Sequence, residues 1–412
     1  MIKIGKPIIE NKDGRTTLKA FISNDVEGRN EWLWYTTDEK WGDYFCPEVA
    51  DAFVLPMILR AVKTHQDIIV ESSMSEKLFY NLNHSVLYAV TRAYEKKYGK
   101  QQEGDVKLEC GNLVMDNYCP KGIGTGCSLG VDSFSVLKQH FFNGDCPSSY
   151  RITHLTLFNA GAFGSRDVEG ARKSFYEEAK KIQTFADTIN LPLVWVDSNT
   201  RSFFPELNFN WCASYLNMSI VLSMQKLWKT YLYASAYPVD SFVWEINDEG
   251  YYAPFLLPQL STESTSLVLA QMNMNRSDKV LYISDDKMVQ KSLYVCLKEQ
   301  IRNNPNAKNK YYGDFLNCGQ CSKCLRTMMQ LEILGVLNDF CGIFDLKEWP
   351  NRKKYYIGEV IANKDNDFFM HDLYESMMKN HYEIPKDSIK IAKRIILKRR
   401  LQSIKRRIKS IF

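Results

Sequence analysis

The sequence has no apolar run long enough to cross a membrane. Its longest runs, such as Phe53–Leu59, are far shorter than the roughly 18 residues that a spanning helix needs. The start of the chain also lacks the basic-then-apolar pattern of a secretory signal, so the eleven cysteines are expected to stay reduced. These absences predict a cytoplasmic globular protein, whose 412 residues and 45% hydrophobic content can fill two or three domains.

A general basic surface is missing as well. The formal net charge is +5, but residues 386–412 carry eleven Lys or Arg against the single acid Asp387, so the rest of the chain sums to −5. The body is therefore not expected to bind a nucleic-acid backbone.

The last segment has the pattern of a basic amphipathic helix. Apolar residues recur there at helical spacing, at Ile391, Ile395, Leu401, Ile404, Ile408 and Phe412. Such a helix is predicted either to lie on an anionic membrane surface, which would make the protein peripheral, or to pack on the slightly acidic body. Nucleic acid is the less favoured partner of this tail.

The order of predicted elements indicates the α/β class. Residues 1–105 combine a small sheet with helices and are predicted to form an N-terminal α+β domain. Residues 106–345 alternate strands with helices, which predicts a doubly wound parallel sheet, and residues 346–412 form a helical extension. Within the middle domain, the aromatic-rich Trp211–Tyr233 is predicted to be helical and Asn303–Lys310 to be a loop.

The central motif is Ser-Leu-Gly-Val-Asp-Ser at Ser128–Ser133, between a predicted strand and a predicted helix. A loop in that position directs backbone N–H groups and the positive end of a helix dipole toward a phosphate or pyrophosphate. Gly130 would permit close approach, and Ser128 and Ser133 could add hydroxyl donors. The lysine of a Walker A loop is absent, which disfavours ordinary NTP hydrolysis.

Two other interpretations of this motif remain open. Gly124, Gly126 and Gly130 give Gly-x-Gly-x3-Gly, but the following strand ends in Asn159-Ala160-Gly161 without the acidic residue that holds a ribose in dinucleotide-binding proteins. The segment could also be an ordinary helix cap, with Asp132 near the helix dipole.

The motif resembles the Ser-Gly-Gly-x-Asp-Ser signature of the PP-loop ATP pyrophosphatases, from which it departs at Leu129. Leucine is compatible with that position only if the position needs neither a positive φ nor contact with phosphate. The strand end Phe158–Gly161 is similar to the second strand of the superfamily, where the adenine edge is read. The segment Arg276–Lys279 is similar to a basic segment that could contact phosphate.

The resemblance implies a Rossmann-like fold of the adenine nucleotide alpha hydrolase type, with ATP and Mg²⁺ as cofactors and a small-molecule acceptor. Catalytic roles would fall on Ser128, Asp132 and Ser133, with Asp132 orienting Mg²⁺ or its waters. The residues expected to bind ATP are Cys127, Ser128, Leu129, Gly130, Val131, Asp132, Ser133, Phe158, Asn159, Ala160, Gly161 and Lys279.

A second motif, Cys-x2-Cys-x2-Cys at Cys318, Cys321 and Cys324, has the spacing of metal ligands. A tetrahedral zinc site needs a fourth ligand, for which Cys296 is preferred to Cys341. An iron–sulfur cluster of the bacterial ferredoxin type would require a cysteine where the chain has Met328. The pattern therefore favours structural Zn²⁺, with Lys323 and Arg326 partly offsetting the charge of four thiolates.

The nucleotide loop followed by these cysteines resembles the 7-cyano-7-deazaguanine synthases over about residues 120–330. That resemblance implies a carbon–nitrogen ligase that adenylates a carboxylate or carbonyl and releases AMP and pyrophosphate. It does not extend to the substrate, because the N-terminal portion and the tail are additional to those compact enzymes. The alternatives are ATP-dependent sulfur insertion, with Cys127 or Cys212 as a persulfide carrier, and a non-catalytic nucleotide-binding scaffold.

Overall fold

The structure is a computed structural model that describes residues 1–24, 26–100, 104–163, 168–204, 208–296 and 314–409. The chain forms two compact units, each made of two segments. The first unit contains Met1–Ser128 and Val136–Asn273, and the second contains Leu129–Ser135 and Met274–Phe412. The loop predicted at Asn303–Lys310 lies outside the described residues.

The strands of the described chain all lie in the first unit and form one sheet. They are β1 (Ile2–Ile4), β2 (Ile8–Lys12), β3 (Arg15–Asn24), β4 (Arg29–Asp38), β5 (Ile68–Ser75), β6 (Leu108–Val114), β7 (Gly122–Gly126), β8 (His154–Phe158), β9 (Leu193–Ser198), β10 (Trp228–Ala234) and β11 (Ser266–Ala270). The strand order is β11-β10-β7-β8-β9-β4-β3-β1-β5-β6, and β2 pairs with β3.

The prediction of an α/β protein is confirmed, but the sheet is mixed rather than wholly parallel. The pairings along β11-β10-β7-β8-β9 are parallel, as are those of β5 with β1 and β6. The antiparallel pairings involve β1 to β4, where short turns join consecutive strands. The strands predicted as a small N-terminal sheet extend the same sheet, because Tyr35 of β4 pairs with Ser198 of β9.

The α-helices of the described chain are distributed over both units. In chain order they are α1 (Asp51–Val54), α2 (Ile58–Thr64), α3 (Glu76–Asn81), α4 (Leu87–Tyr98), α5 (Val131–Leu137), α6 (Val168–Thr188), α7 (Ala213–Ser223), α8 (Ala253–Gln259), α9 (Arg276–Ile283), α10 (Lys287–Ser292), α11 (Ser322–Ile333), α12 (Trp349–Asn363), α13 (Phe368–Lys379) and α14 (Lys386–Lys409). No helix of the described residues is both long enough and apolar enough to span a bilayer.

The prediction that Trp211–Tyr233 is helical is wrong for its second half. Helix α7 ends at Ser223, and β10 then runs through Trp228 and Tyr231, which are both fully buried. A strand buried on both faces has a continuous apolar sequence, so its periodicity does not distinguish it from a buried helix.

The glycines of β7 are explained by packing inside the first unit. A Cβ at Gly124 would come within 2.8 Å of the Trp228 ring and 3.0 Å of the Tyr231 ring, and a Cβ at Gly122 would come within 2.5 Å of the Leu227 carbonyl oxygen. Two aromatic side chains of β10 therefore require glycine on the neighbouring strand. This packing accounts for part of the Gly-x-Gly pattern without a dinucleotide.

Candidate functional site

In the first unit, the residues predicted to bind ATP lie at the ends of β7 and β8 and meet at one edge of the sheet. Cys127 and Ser128 directly follow β7, and the Cys127 N–H donates a hydrogen bond to the Thr156 carbonyl of β8 at 2.9 Å. Phe158 ends β8, and Asn159, Ala160 and Gly161 follow it. Parallel neighbours end on the same side, so the structure brings these two groups together. Ser128 is exposed and Cys127 is buried.

The side chain of Asn159 is held within the sheet edge. Its Nδ2 donates to Asp197 Oδ1 at 2.7 Å, and Arg172 Nε forms an ion pair with Asp197 Oδ2 at 2.8 Å. Gly161 has a φ of +112°, and a Cβ there would lie 2.5 Å from Arg201 Cδ, so only glycine fits. The backbone after β8 is thereby fixed in a turn that a larger residue could not adopt.

The second unit contains the rest of the predicted nucleotide loop, beginning at Leu129. Leu129 has a φ of +55°, in the left-handed region, and its carbonyl accepts a hydrogen bond from the Tyr294 N–H at 2.7 Å. Leucine was expected to suit this position of a PP-loop only if the backbone did not need a positive φ. The φ of Leu129 is positive, so that condition is not met. The left-handed backbone costs a leucine about 1–2 kcal/mol. Burial of the side chain, which is only 7% exposed, offsets that cost.

We expect glycine to be more stable than alanine at position 129. Leu129→Gly and Leu129→Ala both lose the buried side chain, but only alanine keeps the left-handed strain. The free energy of unfolding should therefore be about 1 kcal/mol higher for Leu129→Gly, the reverse of the usual order of these two residues. Urea denaturation of both variants measures the difference. An alanine variant as stable as the glycine variant would contradict the strained conformation.

Asp132, in the first turn of α5, lies between two cations of α9. Its Oδ2 is 2.9 Å from Arg276 Nη2 and its Oδ1 is 3.2 Å from Lys279 Nζ. Burial alone would raise the pKa of Asp132, but Arg276 and Lys279 together hold this pKa below its ordinary value. Burial lowers the pKa of Lys279, whose side chain is 1% exposed, although Asp132 opposes that effect. The carboxylate therefore stays ionised between the two cations.

Helix α11 contributes two further cations to the same cluster. Lys323 and Arg326 are three residues apart on α11, as Arg276 and Lys279 are on α9, so each pair shares one helix face. The guanidinium groups of Arg276 and Arg326 lie 5.9 and 3.9 Å from the centre of the Phe369 ring. Desolvation and the charge of Arg276 lower the pKa values of both Lys323 and Arg326.

Among the described residues, Asp132 is the only carboxylate that forms ion pairs with the cations of this cluster. Lys323 and Arg326 form no ion pair with any described residue, and Arg276 Nε is buried without a hydrogen-bond partner among these residues. Four cations thus lie near Asp132, and Asp367 and Asp372 add negative charge near Arg326 and Arg276 respectively. Such an arrangement is suited to an anion with several oxygens, such as a phosphate chain.

Hydrogen bonds fix the helix that carries Arg276 and Lys279. Asn275 and Asp278 form a capping box at the start of α9. The Ser277 N–H donates to Asp372 Oδ2 of α13 at 2.9 Å, and the single Ser277 hydroxyl proton is shared between Asp372 Oδ2 at 2.8 Å and Gln330 Oε1 of α11 at 2.9 Å. The positions of α9 and α11 are therefore coupled, which places their cations in a defined geometry.

The four predicted metal ligands also come together in the second unit. One sulfur from each of Cys296, Cys318, Cys321 and Cys324 lies within 4.8 Å of the others, so the cluster could hold a metal ion. Cys318 and Cys324 are 3.9 Å apart between sulfurs, and the Cys318 N–H donates to the Cys296 sulfur at 3.3 Å. Cys341, the other candidate for the fourth ligand, is exposed and lies outside this group.

The turn of the cysteine motif depends on Gly319. This residue has a φ of +63°, and a Cβ there would lie 2.2 Å from the Asp345 carbonyl oxygen. The Cys318 sulfur accepts hydrogen bonds from the N–H groups of Gln320 and Cys321, both at 3.4 Å. N–H groups directed at a sulfur stabilise a thiolate, which is the form that binds metals.

Three residues of the cation cluster have no distinctive signal in the sequence. In the sequence, Arg276 is only one residue of a basic segment, and Lys323 and Arg326 are predicted to offset the charge of the cysteine site. Their spacing at i and i+3 on two helices was the available signal, but nothing in the sequence placed those helices beside Asp132. No protein family, curated protein or solved structure matches this chain.

Proposed function

We propose that the protein is an ATP-dependent adenylating enzyme of the PP-loop type, a carbon–nitrogen ligase resembling the 7-cyano-7-deazaguanine synthases. Its substrate would be a small carboxylate or carbonyl compound, and its products would include AMP and pyrophosphate. The observation that carries the proposal is the convergence of Arg276, Lys279, Lys323 and Arg326 around Asp132 in the predicted nucleotide loop.

The strand order supports a Rossmann-like, doubly wound arrangement for part of the sheet. The five parallel strands lie in the spatial order β9-β8-β7-β10-β11. If β7 to β11 are numbered 1 to 5 along the chain, this order is 3-2-1-4-5. In open sheets of that order, ligands bind beyond the carboxyl ends of the strands where the order reverses. That point is the end of β7, which leads directly into Ser128.

The cations supply what cleavage between the α- and β-phosphates requires. The leaving pyrophosphate develops negative charge, which Arg276, Lys279, Lys323 and Arg326 would stabilise from fixed positions. Phosphate oxygens would compete with Asp132 for Arg276 and Lys279. The carboxylate would then be available to orient Mg²⁺ or its waters, and that ion would neutralise part of the pyrophosphate charge.

The cysteine group fits zinc. A tetrahedral zinc ion with Zn–S bonds of about 2.3 Å holds its sulfurs about 3.8 Å apart, close to the 3.9 Å between Cys318 and Cys324. When bound, zinc would crosslink the segment of Cys296 to the motif that begins α11. The chain places Lys323 between Cys321 and Cys324 in the sequence, where the charge of Asp132 acts on its ammonium group.

Chromatography of labelled ATP tests the reaction. With magnesium and a set of candidate carboxylates and ammonia, we expect acceptor-dependent AMP and pyrophosphate rather than ADP and phosphate. Ser128→Ala and Asp132→Asn should each lower turnover at least roughly tenfold, or about 1.4 kcal/mol of transition-state stabilisation. Asp240→Asn, which changes an exposed carboxylate of the first unit, is the matched control.

The same assay distinguishes the alternatives. Acceptor-dependent ADP would contradict the PP-loop mechanism, and turnover that needs a sulfur donor instead of ammonia would indicate sulfur insertion. ATP binding without turnover for any acceptor would favour a nucleotide-binding scaffold. Equal turnover of the wild type and both loop variants would mean that the motif does not bind ATP.

A further inference from the structure

Helix α14 has two distinct opposite sides, and the first side is buried. Ser388 and Ala392 are 0% and 1% exposed, and Ser388 Oγ donates to the Lys354 carbonyl of α12 at 2.8 Å. Gly358 of α12 allows close contact with Ile391, because a Cβ there would come within 2.6 Å of the Ile391 side chain. This side of the helix is used within the second unit.

The second side carries an exposed stripe made of Leu397, Leu401 and Ile404. These residues are 58%, 52% and 53% exposed, and their spacing of four and three places them on one face. At 3.6 residues per turn, this face lies roughly half a turn from Ser388 and Ala392. The packing of α14 on α12 therefore leaves the stripe unused. Packing on the body and contact with a membrane surface, the two alternatives predicted for the tail, would involve different sides of one helix.

Basic residues flank the stripe on both edges. By the same helical geometry, Lys393 and Arg400 lie to one side of it and Arg394 and Lys398 to the other, and all four are exposed. Asp387 is the only acid among residues 386–412, whereas the rest of the chain sums to −5. The stripe is thus an apolar band between two cationic edges.

The exposed part of α14 lies beyond the end of its partner helix. Helix α12 ends at Asn363, and near that end Arg399 Nη1 of α14 donates a hydrogen bond to the Ala362 carbonyl at 3.3 Å. Residues 400–404 are all exposed. A flat surface can therefore approach the stripe without displacing the packing of Ser388 and Ala392.

We propose that the face formed by Leu397, Leu401 and Ile404 docks on an anionic lipid surface, with the helix axis parallel to the membrane. The apolar side chains enter the boundary between headgroups and acyl chains, and the flanking Lys and Arg contact the anionic headgroups. A nucleic-acid backbone would complement the cations as well, but it would offer no apolar surface to the stripe between them. The lipid surface is the occupant that matches both features.

Vesicle flotation of the full-length protein tests this docking. The wild type should bind vesicles that contain phosphatidylserine and not vesicles of phosphatidylcholine alone, and binding should weaken as salt is added. The triple variant Leu397→Gln, Leu401→Gln, Ile404→Gln should bind at least roughly tenfold more weakly while it keeps every charge. Leu113→Gln, which changes an exposed leucine of the first unit, should bind like the wild type.

The outcomes separate this proposal from its rivals and from the proposed function. Equal binding by the triple variant and the wild type, equal binding to both kinds of vesicle, or binding to duplex DNA without binding to vesicles would each overturn it. Truncation after Arg399 is a second test that keeps the packed half of α14, and it should also release the protein from vesicles. ATP turnover does not enter any of these measurements.

Discussion

Replacing Lys279 by methionine should lower ATP turnover at least about a hundredfold, or roughly 2.7 kcal/mol of transition-state stabilisation. The Lys279 ammonium is held by the capped helix α9 and is 1% exposed, so its charge acts in a site with little water to screen it. Methionine fills a similar volume without the charge. The measurement is the acceptor-dependent release of AMP and pyrophosphate, with kcat and KM determined separately.

The control for this variant is Lys291→Met, which removes an exposed lysine from α10 of the same unit and should leave turnover unchanged. Asp132 keeps its ion pair with Arg276 in Lys279→Met, so the thermal unfolding midpoint should stay close to that of the wild type. If the variant does not fold, Arg326→Met removes a different cation of the same cluster. Wild-type turnover in a folded Lys279→Met or Arg326→Met protein would argue against phosphate binding at this cluster.

Replacing Cys324 by serine should remove the metal and destabilise the second unit. Cys324 is fully buried, and its sulfur lies 3.9 Å from that of Cys318. The purified wild type should contain about one zinc per chain, and the variant far less. Because the free energy of metal binding contributes directly to folding, the free energy of unfolding should fall by about 3 kcal/mol or more. Metal analysis and chemical denaturation measure the two effects.

Cys341→Ser is the matched control, because Cys341 is the exposed cysteine that the sequence offered as the other fourth ligand. It should keep both its zinc content and its stability, whereas Cys296→Ser should lose both. Iron and sulfide in the purified wild type would replace the zinc assignment by an iron–sulfur cluster. Full zinc in Cys296→Ser would show that the fourth ligand has been misassigned.

The cysteine group could be predicted from the sequence because its chemistry is local. Three of the four cysteines lie within seven residues, so their convergence needs only one turn, which Gly319 provides. The choice of Cys296 depended on its position along the chain, and the structure places its sulfur with the others. The loop at Ser128–Ser133 was recognisable for the same reason, since its residues are consecutive.

The cation cluster could not be predicted, because it depends on packing between helices that are distant in the sequence. Asp132 and Lys279 are 147 positions apart, and the contact between α9 and α11 depends on buried hydrogen bonds from Ser277. The start of β10 was missed for a related reason, since burial on both faces removed the alternation that marks a strand. The conformation of Leu129 could not be predicted either. Leucine disfavours a positive φ, and only the tertiary structure holds it there.

A short segment of the second unit interrupts the sequence of the first unit, which limits how the protein can be divided into fragments. Residues 129–135 belong to the second unit but are encoded inside the first, so no single cut separates the two. A fragment that begins at residue 274 would lack Asp132 and keep Arg276 and Lys279, the two cations that pair with it. Removing the carboxylate leaves these cations uncompensated, so such a fragment should be less stable than the second unit of the intact chain. To be expressed alone, the second unit would need residues 129–135 joined to it through a designed linker.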